Sequence, residues 1–452
     1  MILLQVNWSE IGTKSAQFIL SFSIIVTLHE LGHFIPAKLF KCRVEKFYLF
    51  FNPWFCLFKK KIGYTEWGIG WIPLGGFVKI SGMIDESMDT DQMKRPPMPW
   101  EYRSKPAWQR LIIILGGVAI NFFLGVFIYS MILWHWGDTY IPTNKLKNGI
   151  AVDSLGRSIG LKNGDQILSL DGKYVEKFRS IAPMVILNDV KTIEVDRSGT
   201  KVTVLVPSDF SKKLIKHKDL NFIDVRFPFE SIDSVAPGLP AAKTGLRKGD
   251  KIILCNGVPV TYFQDFRTLI SDQKSREVNL VALRNTDTLK FKVTVPENGK
   301  LGLYPSEPNK ALVYEEKAVT YSFTASFPKG LKRSLETLKS YWLQLRLIVS
   351  GKINANDSLG SVVSIGKMFA TTWDWQQFWG LTAFFSIVIA LMNVFPIPAL
   401  DGGHAMFLIF EIISGRKPGD KFIEYAQMTG MILLLGLLVY SLGLDVFRIF
   451  SS

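Results

Sequence analysis

Residues 29–33 read His-Glu-Leu-Gly-His. On a helix, positions i and i+4 share a face, so both imidazoles can bind one Zn²⁺. Glu30 stands beside them, where a carboxylate can take a proton from water on the metal. The chain holds only five histidines, so two at ligand spacing carry weight. The motif interrupts an apolar run at 15–37. Two histidines and a glutamate in hydrocarbon are costly unless paired or functional. Zinc needs a third protein ligand if one position is to stay open for water. Asp401 and His404, in NVFPIPALDGGH, are the candidates at the same depth. Asp401 is the choice because it directly follows an uncharged run, and His404 reads as an orienting or packing histidine. Gly402 and Gly403 would let the backbone turn close to a metal. Pro396 and Pro398 prevent a regular helix just before it. Irregular backbone at membrane depth is tolerated only where protein or a water-filled cavity surrounds it. Hydrolysis within lipid requires such a cavity.

The elements that must position these residues are apolar. A membrane helix needs about 20 mostly apolar residues. Residues 111–134, 375–400 and 425–444 contain no charge, and 15–37 is charged only in its motif. Four spans are therefore expected. Short-loop Lys and Arg set their orientation. Eleven lie between 41 and 105, against Lys14 alone before the first span. Arg416, Lys417 and Lys421 lie between the third and fourth spans, and Arg448 alone follows. Both short loops then face the cytoplasm, and both termini and the long 137–374 segment face out. The first span lacks the basic flank and cleavage site of a signal peptide.

The outer segment carries a repeat. Residues 160–165 read GLKNGD before QILSLDG, and 245–250 read GLRKGD before KIILCNG, a period of 85 residues. That is the size of a small domain rather than a solenoid unit. GLxxGD resembles the PDZ domain, the second copy more closely than the first. A PDZ domain captures extended peptide by adding a strand to its sheet. Residues 329–351 have helical spacing with mixed charge and read as an amphipathic helix.

HExxH in the first span together with NxxPxxxLDG in the third resembles the site-2 protease family of intramembrane zinc metalloproteases. The tandem PDZ insert is similar to its RseP branch, the regulators of sigma-E proteases. The resemblance implies His29, His33 and Asp401 as zinc ligands and Glu30 as catalytic base. It implies that Asn393 helps hold substrate, and less directly Asn121. IPLGGFVKISG (72–82), with Gly75 and Gly76, resembles the family's membrane-reentrant β element, which would offer an edge strand to an unwound substrate. Relatives commonly have Gly-Pro where this chain has Gly117-Val118, and often carry another within 359–365 that LGSVVSI lacks.

The expected fold is a polytopic α-helical membrane protein of four spans, with a reentrant β element and two extracytoplasmic PDZ-like domains. Its divisions are a first span with HExxH (1–40), a cytoplasmic loop with the β element (41–107) and a second span (108–136). PDZ-like domains follow at 137–225 and 226–305, then a post-PDZ amphipathic region (306–374). A third span with the LDG motif and a cytoplasmic loop (375–424) leads to the fourth span (425–452). The expected activity is zinc-dependent hydrolysis of a peptide bond within the span of single-pass substrates, such as pre-trimmed anti-sigma factors or remnant signal peptides. An upstream site-1 protease would trim them, and the PDZ pair would filter or bind them. The expected location is a cell inner membrane, with the PDZ pair periplasmic and the active site toward the cytoplasm.

Three rival readings are weaker. A membrane-anchored PDZ scaffold with an inactive metal site has no need of Glu30. A membrane metalloprotease with a downstream Glu ligand does not account for LDG. A transporter needs internal symmetry between spans, and none is visible. Hydrophobic residues at 48% and charged residues at 20% exclude wholesale disorder. The net charge of +14 does not call for nucleic acid. Lys59-Lys60-Lys61, its clearest cluster, suits anionic lipid on the cytoplasmic side. Cys42, Cys56 and Cys255 are too far apart for a disulfide scaffold or a CxxC zinc ribbon.

Overall fold

The computed structural model describes residues 7–83, 96–216, 222–351 and 362–451. Residues 359–361 of LGSVVSI lie outside these. Among the described residues the chain divides into two compact units. One holds Met1–Gly137, Thr320–Arg346 and Asn354–Ser452, the other Asp138–Val319 and Leu347–Ile353.

Among the described residues the first unit contains four helices long and apolar enough to cross a membrane. The first span is Trp8–Leu39, started by the Asn7 side chain accepting from the Glu10 amide. The second is Ala107–His135, which continues unbroken through Val118. The third is Trp375–Val394, capped by Asp374. The fourth runs within Asp420–Ser451. Small polar side chains link them where water is absent. Ser21 and Thr382 share a hydrogen bond of 2.9 Å between first and third spans. Ser386 donates to the Asn121 carbonyl at 2.7 Å between third and second.

The uncharged run 375–400 is not one helix. The third span stops at Val394, the backbone is irregular to Leu400, and a separate helix begins at Asp401 and runs to Ser414. Pro396 and Pro398 have no amide proton to continue the first helix. Residues 401–414, inside the 375–424 division expected to hold the third span, the LDG motif and a cytoplasmic loop, form this second helix. Gly415 ends this motif helix in the left-handed conformation. Arg110 at the start of the second span donates to Glu411 on it.

Between the first two spans lies a four-stranded sheet of β1 (Val44–Phe51), β2 (Phe58–Ile62), β3 (Thr65–Ile69) and β4 (Ile72–Ile80). Its order is β2-β3-β1-β4, so β4 is an edge. β1 runs parallel to β3 and antiparallel to β4. Phe34 of the first span packs its ring against Phe47 and Trp67 of the sheet.

The second unit holds two β domains of the same plan. In the first, Gln166–Leu170, Thr192–Arg197 and Thr200–Leu205 form an antiparallel sheet, and Ile150–Val152 pairs with Ile223–Val225. In the second, Lys251–Cys255, Glu277–Arg284 and Asp287–Thr294 form the equivalent ladder, and Ile232–Val235 pairs with Leu303–Pro305. Each has its own apolar core. The repeated Gly-Asp explains the correspondence. Asp165 and Asp250 are each 1% exposed. Asp165 accepts from the Lys162 amide and from Arg197 at 2.7–2.9 Å. Asp250 accepts from the Arg247 amide and from Arg284 at 2.7–2.9 Å. Each arginine also donates to the carbonyl of the first glycine of its motif, Gly160 or Gly245, at 2.9 Å. Cys255 is buried in the second core. The segment after the repeats returns unexpectedly: Lys317–Val319 pairs with Asp138–Tyr140 and closes the insertion at its base.

Candidate metal centre

His29 and His33 lie one turn apart on the first span. Their Nε2 atoms are 3.2 Å apart. Asp401, the first residue of the motif helix, places Oδ2 3.3 Å from His29 Nε2 and 3.5 Å from His33 Nε2. That oxygen is buried and has no hydrogen-bond donor. His33 Nδ1 lies 2.9 Å from the Ile113 carbonyl, which can only accept. A His33 ring that ligates through Nε2 carries its proton on Nδ1, and this carbonyl is placed to accept it.

Zinc fits this triangle. Ligands on a tetrahedral zinc at about 2.0–2.2 Å are spaced by about 1.63 times that length, roughly 3.3–3.6 Å. Among the described residues this is the one cluster of three or more metal-binding side chains.

Close helix packing brings the ligands together. Gly32, inside the motif, lies against Gly116 and Gly117 of the second span, where added Cβ atoms would strike backbone. At Gly117 a Cβ would lie 2.5 Å from His33 Nε2 and 2.7 Å from His29 Cε1. The hydrogen that replaces a methyl there makes room for both rings. Gly402 and Gly403 play the corresponding part for Asp401, because backbone 394–398 folds back onto the start of the motif helix. Neither Gly32 nor Gly117 stands out from the sequence pattern as a functional residue. The adjacent Gly116 and Gly117 in an uncharged span were the available signal of a close helix crossing.

The remaining expected residues divide. Glu30 lines a cavity of about 490 Å³ together with His29, His33, Asp401 and His404. β4 forms another wall through Gly76, Phe77 and Val78. A Cβ on Gly76 would lie 2.8 Å from Val26 and 3.5 Å from Glu30, so glycine lets the edge strand run close to the first span. Gly75 instead faces the Phe51 ring. Asn393, near the end of the third span, brings Nδ2 to 3.4 Å from His29 Nε2. Asn121 is wholly buried, with Nδ2 3.2 Å from His29 Nδ1. His404 is held by Gln427 of the fourth span at 3.0 Å.

The model of peptidase family M50 matches residues 17–437. The chain belongs to this family, the site-2 proteases. It is similar to the regulator of sigma E protease of Haemophilus influenzae, 26% identical over 96% of this chain and 98% of that one. The regulator of sigma-E protease RseP of Escherichia coli is 26% identical with the same coverage. Protease RseP of Yersinia pestis is 25% identical over 96% of this chain and 98% of its own. As a site-2 protease the chain is a zinc metalloprotease, a polytopic helical membrane protein acting on membrane-embedded substrates.

Proposed function

We propose that this site-2 protease hydrolyses a peptide bond within the span of single-pass membrane proteins, with His29, His33 and Asp401 as its zinc ligands and Glu30 as its base. The observation that carries the reading is the triangle of 3.2, 3.3 and 3.5 Å between three converging atoms of metal-binding type. Zinc, when bound there, acts as a Lewis acid and lets water give up a proton near neutral pH.

The protein groups do the rest. Glu30 takes the proton from the attacking water and returns it to the leaving amine. A substrate helix shields its own peptide bonds, so it must unwind first. β4 is the sheet edge, and its Gly76–Val78 stretch lines the cavity, where an edge strand can add an extended chain. Strand addition there replaces the hydrogen bonds the substrate loses. This is the support for reading β1–β4 as the reentrant element. Asn393, beside the ligands, is suited to hold the substrate backbone.

The two β domains are read as a PDZ pair. Each has an antiparallel sheet, a helix and a GLxxGD turn locked by a buried Asp paired with a partly exposed Arg. The Lys and Arg distribution supports reading them and both termini as facing away from the cytoplasm, the periplasmic side if the membrane is an inner one. There they would filter substrates by size, admitting those already trimmed by a site-1 protease, such as anti-sigma factors or remnant signal peptides. The relatives named as regulators of sigma-E proteases favour the first class.

The test is cleavage in cells of a tagged single-pass protein whose outer domain has been removed. Wild type is compared with Glu30→Gln. A product cut within the span, absent in the variant, is expected. Equal cleavage by both would overturn the role of Glu30.

A further inference from the structure

We infer that Asn121 is a positioning residue of the metal centre, whose carboxamide oxygen accepts the Nδ1 proton of His29 and so fixes the ring with Nε2 free to bind zinc. The inference rests on the metal reading above and reassigns Asn121 from substrate to ligand.

The argument begins with the two histidines. A neutral imidazole carries one proton, and a ring that ligates through Nε2 must carry it on Nδ1. That proton needs an acceptor, because a buried donor without one is costly. His33 has its acceptor in the Ile113 carbonyl of the second span, 2.9 Å away. The group facing His29 Nδ1 is also on the second span: Asn121, two turns further along, at 3.2 Å. Asn121 is fully buried in an uncharged stretch of helix, where a carboxamide is expensive without a partner.

Its present orientation turns the amide nitrogen toward His29 and leaves Oδ1 buried with no partner. With the His29 proton on Nδ1, that contact sets donor against donor. A half-turn of the carboxamide exchanges its two atoms. The contact then becomes Nδ1–H donating to Oδ1, and the amide nitrogen takes the position where the oxygen now stands without a partner. The Asn121 backbone carbonyl, which accepts from Ser386, is untouched by this rotation. The second span thus orients both histidines, one by a backbone carbonyl and one by a side chain. Partners of this kind contribute about 10–100-fold to metal affinity.

The experiment uses the full chain in detergent. Zinc affinity is measured by chelator competition, and the Co²⁺-substituted protein supplies an absorption spectrum of the ligand field. The variants are Asn121→Ala, Asn121→Leu, which keeps the volume without an acceptor, and Asn121→Asp, which keeps the acceptor. Ser386→Ala loosens the same helix pair without touching His29 and serves as the packing control. The expected result is a 10–100-fold loss of zinc affinity and a perturbed cobalt spectrum in Asn121→Ala or Asn121→Leu, whichever folds. Asn121→Asp should return to within a few-fold of wild type, and Ser386→Ala should stay there. Wild-type affinity in a folded Ala or Leu variant overturns the inference, as does equal loss in Asn121→Asp. Failure of the underlying metal reading looks different: wild type and His29→Ala would then bind zinc equally.

Discussion

At the scale of residues, the centre depends on atoms present and on one that must be missing. Glu30 is not a ligand, so Glu30→Gln should keep stoichiometric zinc while cleavage falls by about 10²–10⁴-fold. Metal analysis of the purified variant beside a cleavage assay checks both halves. Chelator should abolish wild-type cleavage, and added zinc should restore it. Gly117→Ala makes the opposite demand. The substitution favours a helix by about 1 kcal/mol, yet its methyl would sit between the two imidazoles. We expect unchanged helicity by circular dichroism and at least about a tenfold loss of zinc affinity. His29, Glu30, His33 and Asp401 were legible in the sequence because ionisable residues stand out in apolar runs. Gly117 was not, because its contribution is the absence of a side chain at a helix crossing that no local pattern reveals. The Ile113 carbonyl was illegible for a related reason: every residue has one.

At the scale of elements, the edge strand and the Asp–Arg locks are separately testable. Gly76→Val places bulk against Val26 and Glu30, where even a Cβ would lie 2.8 Å from Val26. It should push β4 from the first span and cut cleavage by more than tenfold, with zinc content intact. Equal cleavage by this variant would remove β4 from the substrate path. In the second β domain, Arg284 and the Arg247 amide hold the Asp250 carboxyl below its ordinary pKa. A carboxylate depressed on folding contributes stability above its unfolded pKa, about 3.9, and loses it as pH falls through the folded value. The domain should therefore loosen below about pH 4. Cys255, buried in its core, reports this. In a Cys56→Ser background, its labelling by an acid-tolerant pyridyl disulfide should accelerate below that pH. Asp250→Asn should label faster already at pH 7. The four apolar helices and the repeated turn could be read from hydropathy and spacing. The break at 395–400 was half legible: both prolines were visible, but an uncharged run reads as one span. What ends the helix at Val394 is the missing amide protons, and what restarts it at Asp401 is packing of Gly402 and Gly403 on that turn.

At the scale of the whole molecule, the insertion is closed by its own ends. Asp138–Tyr140 and Lys317–Val319 are three-residue strands, too short and too distant in sequence to be paired by pattern. In the structure Tyr140 lies opposite Lys317. An Asn-Gly dipeptide between them would close a two-residue hairpin, because both central residues of that turn need positive φ. Residues 141–316 can thus be replaced while the strand pair at their base is kept. If the β domains filter by size, the shortened chain should keep its zinc, cleave a trimmed substrate at the wild-type rate, and gain cleavage of a substrate whose outer domain is intact. If they instead capture a newly exposed C-terminus, the intact substrate should stay uncut and cleavage of the trimmed one should fall, with KM rising more than kcat changes. A substrate pair differing only in that outer domain, assayed against both chains in the same membrane, separates the two.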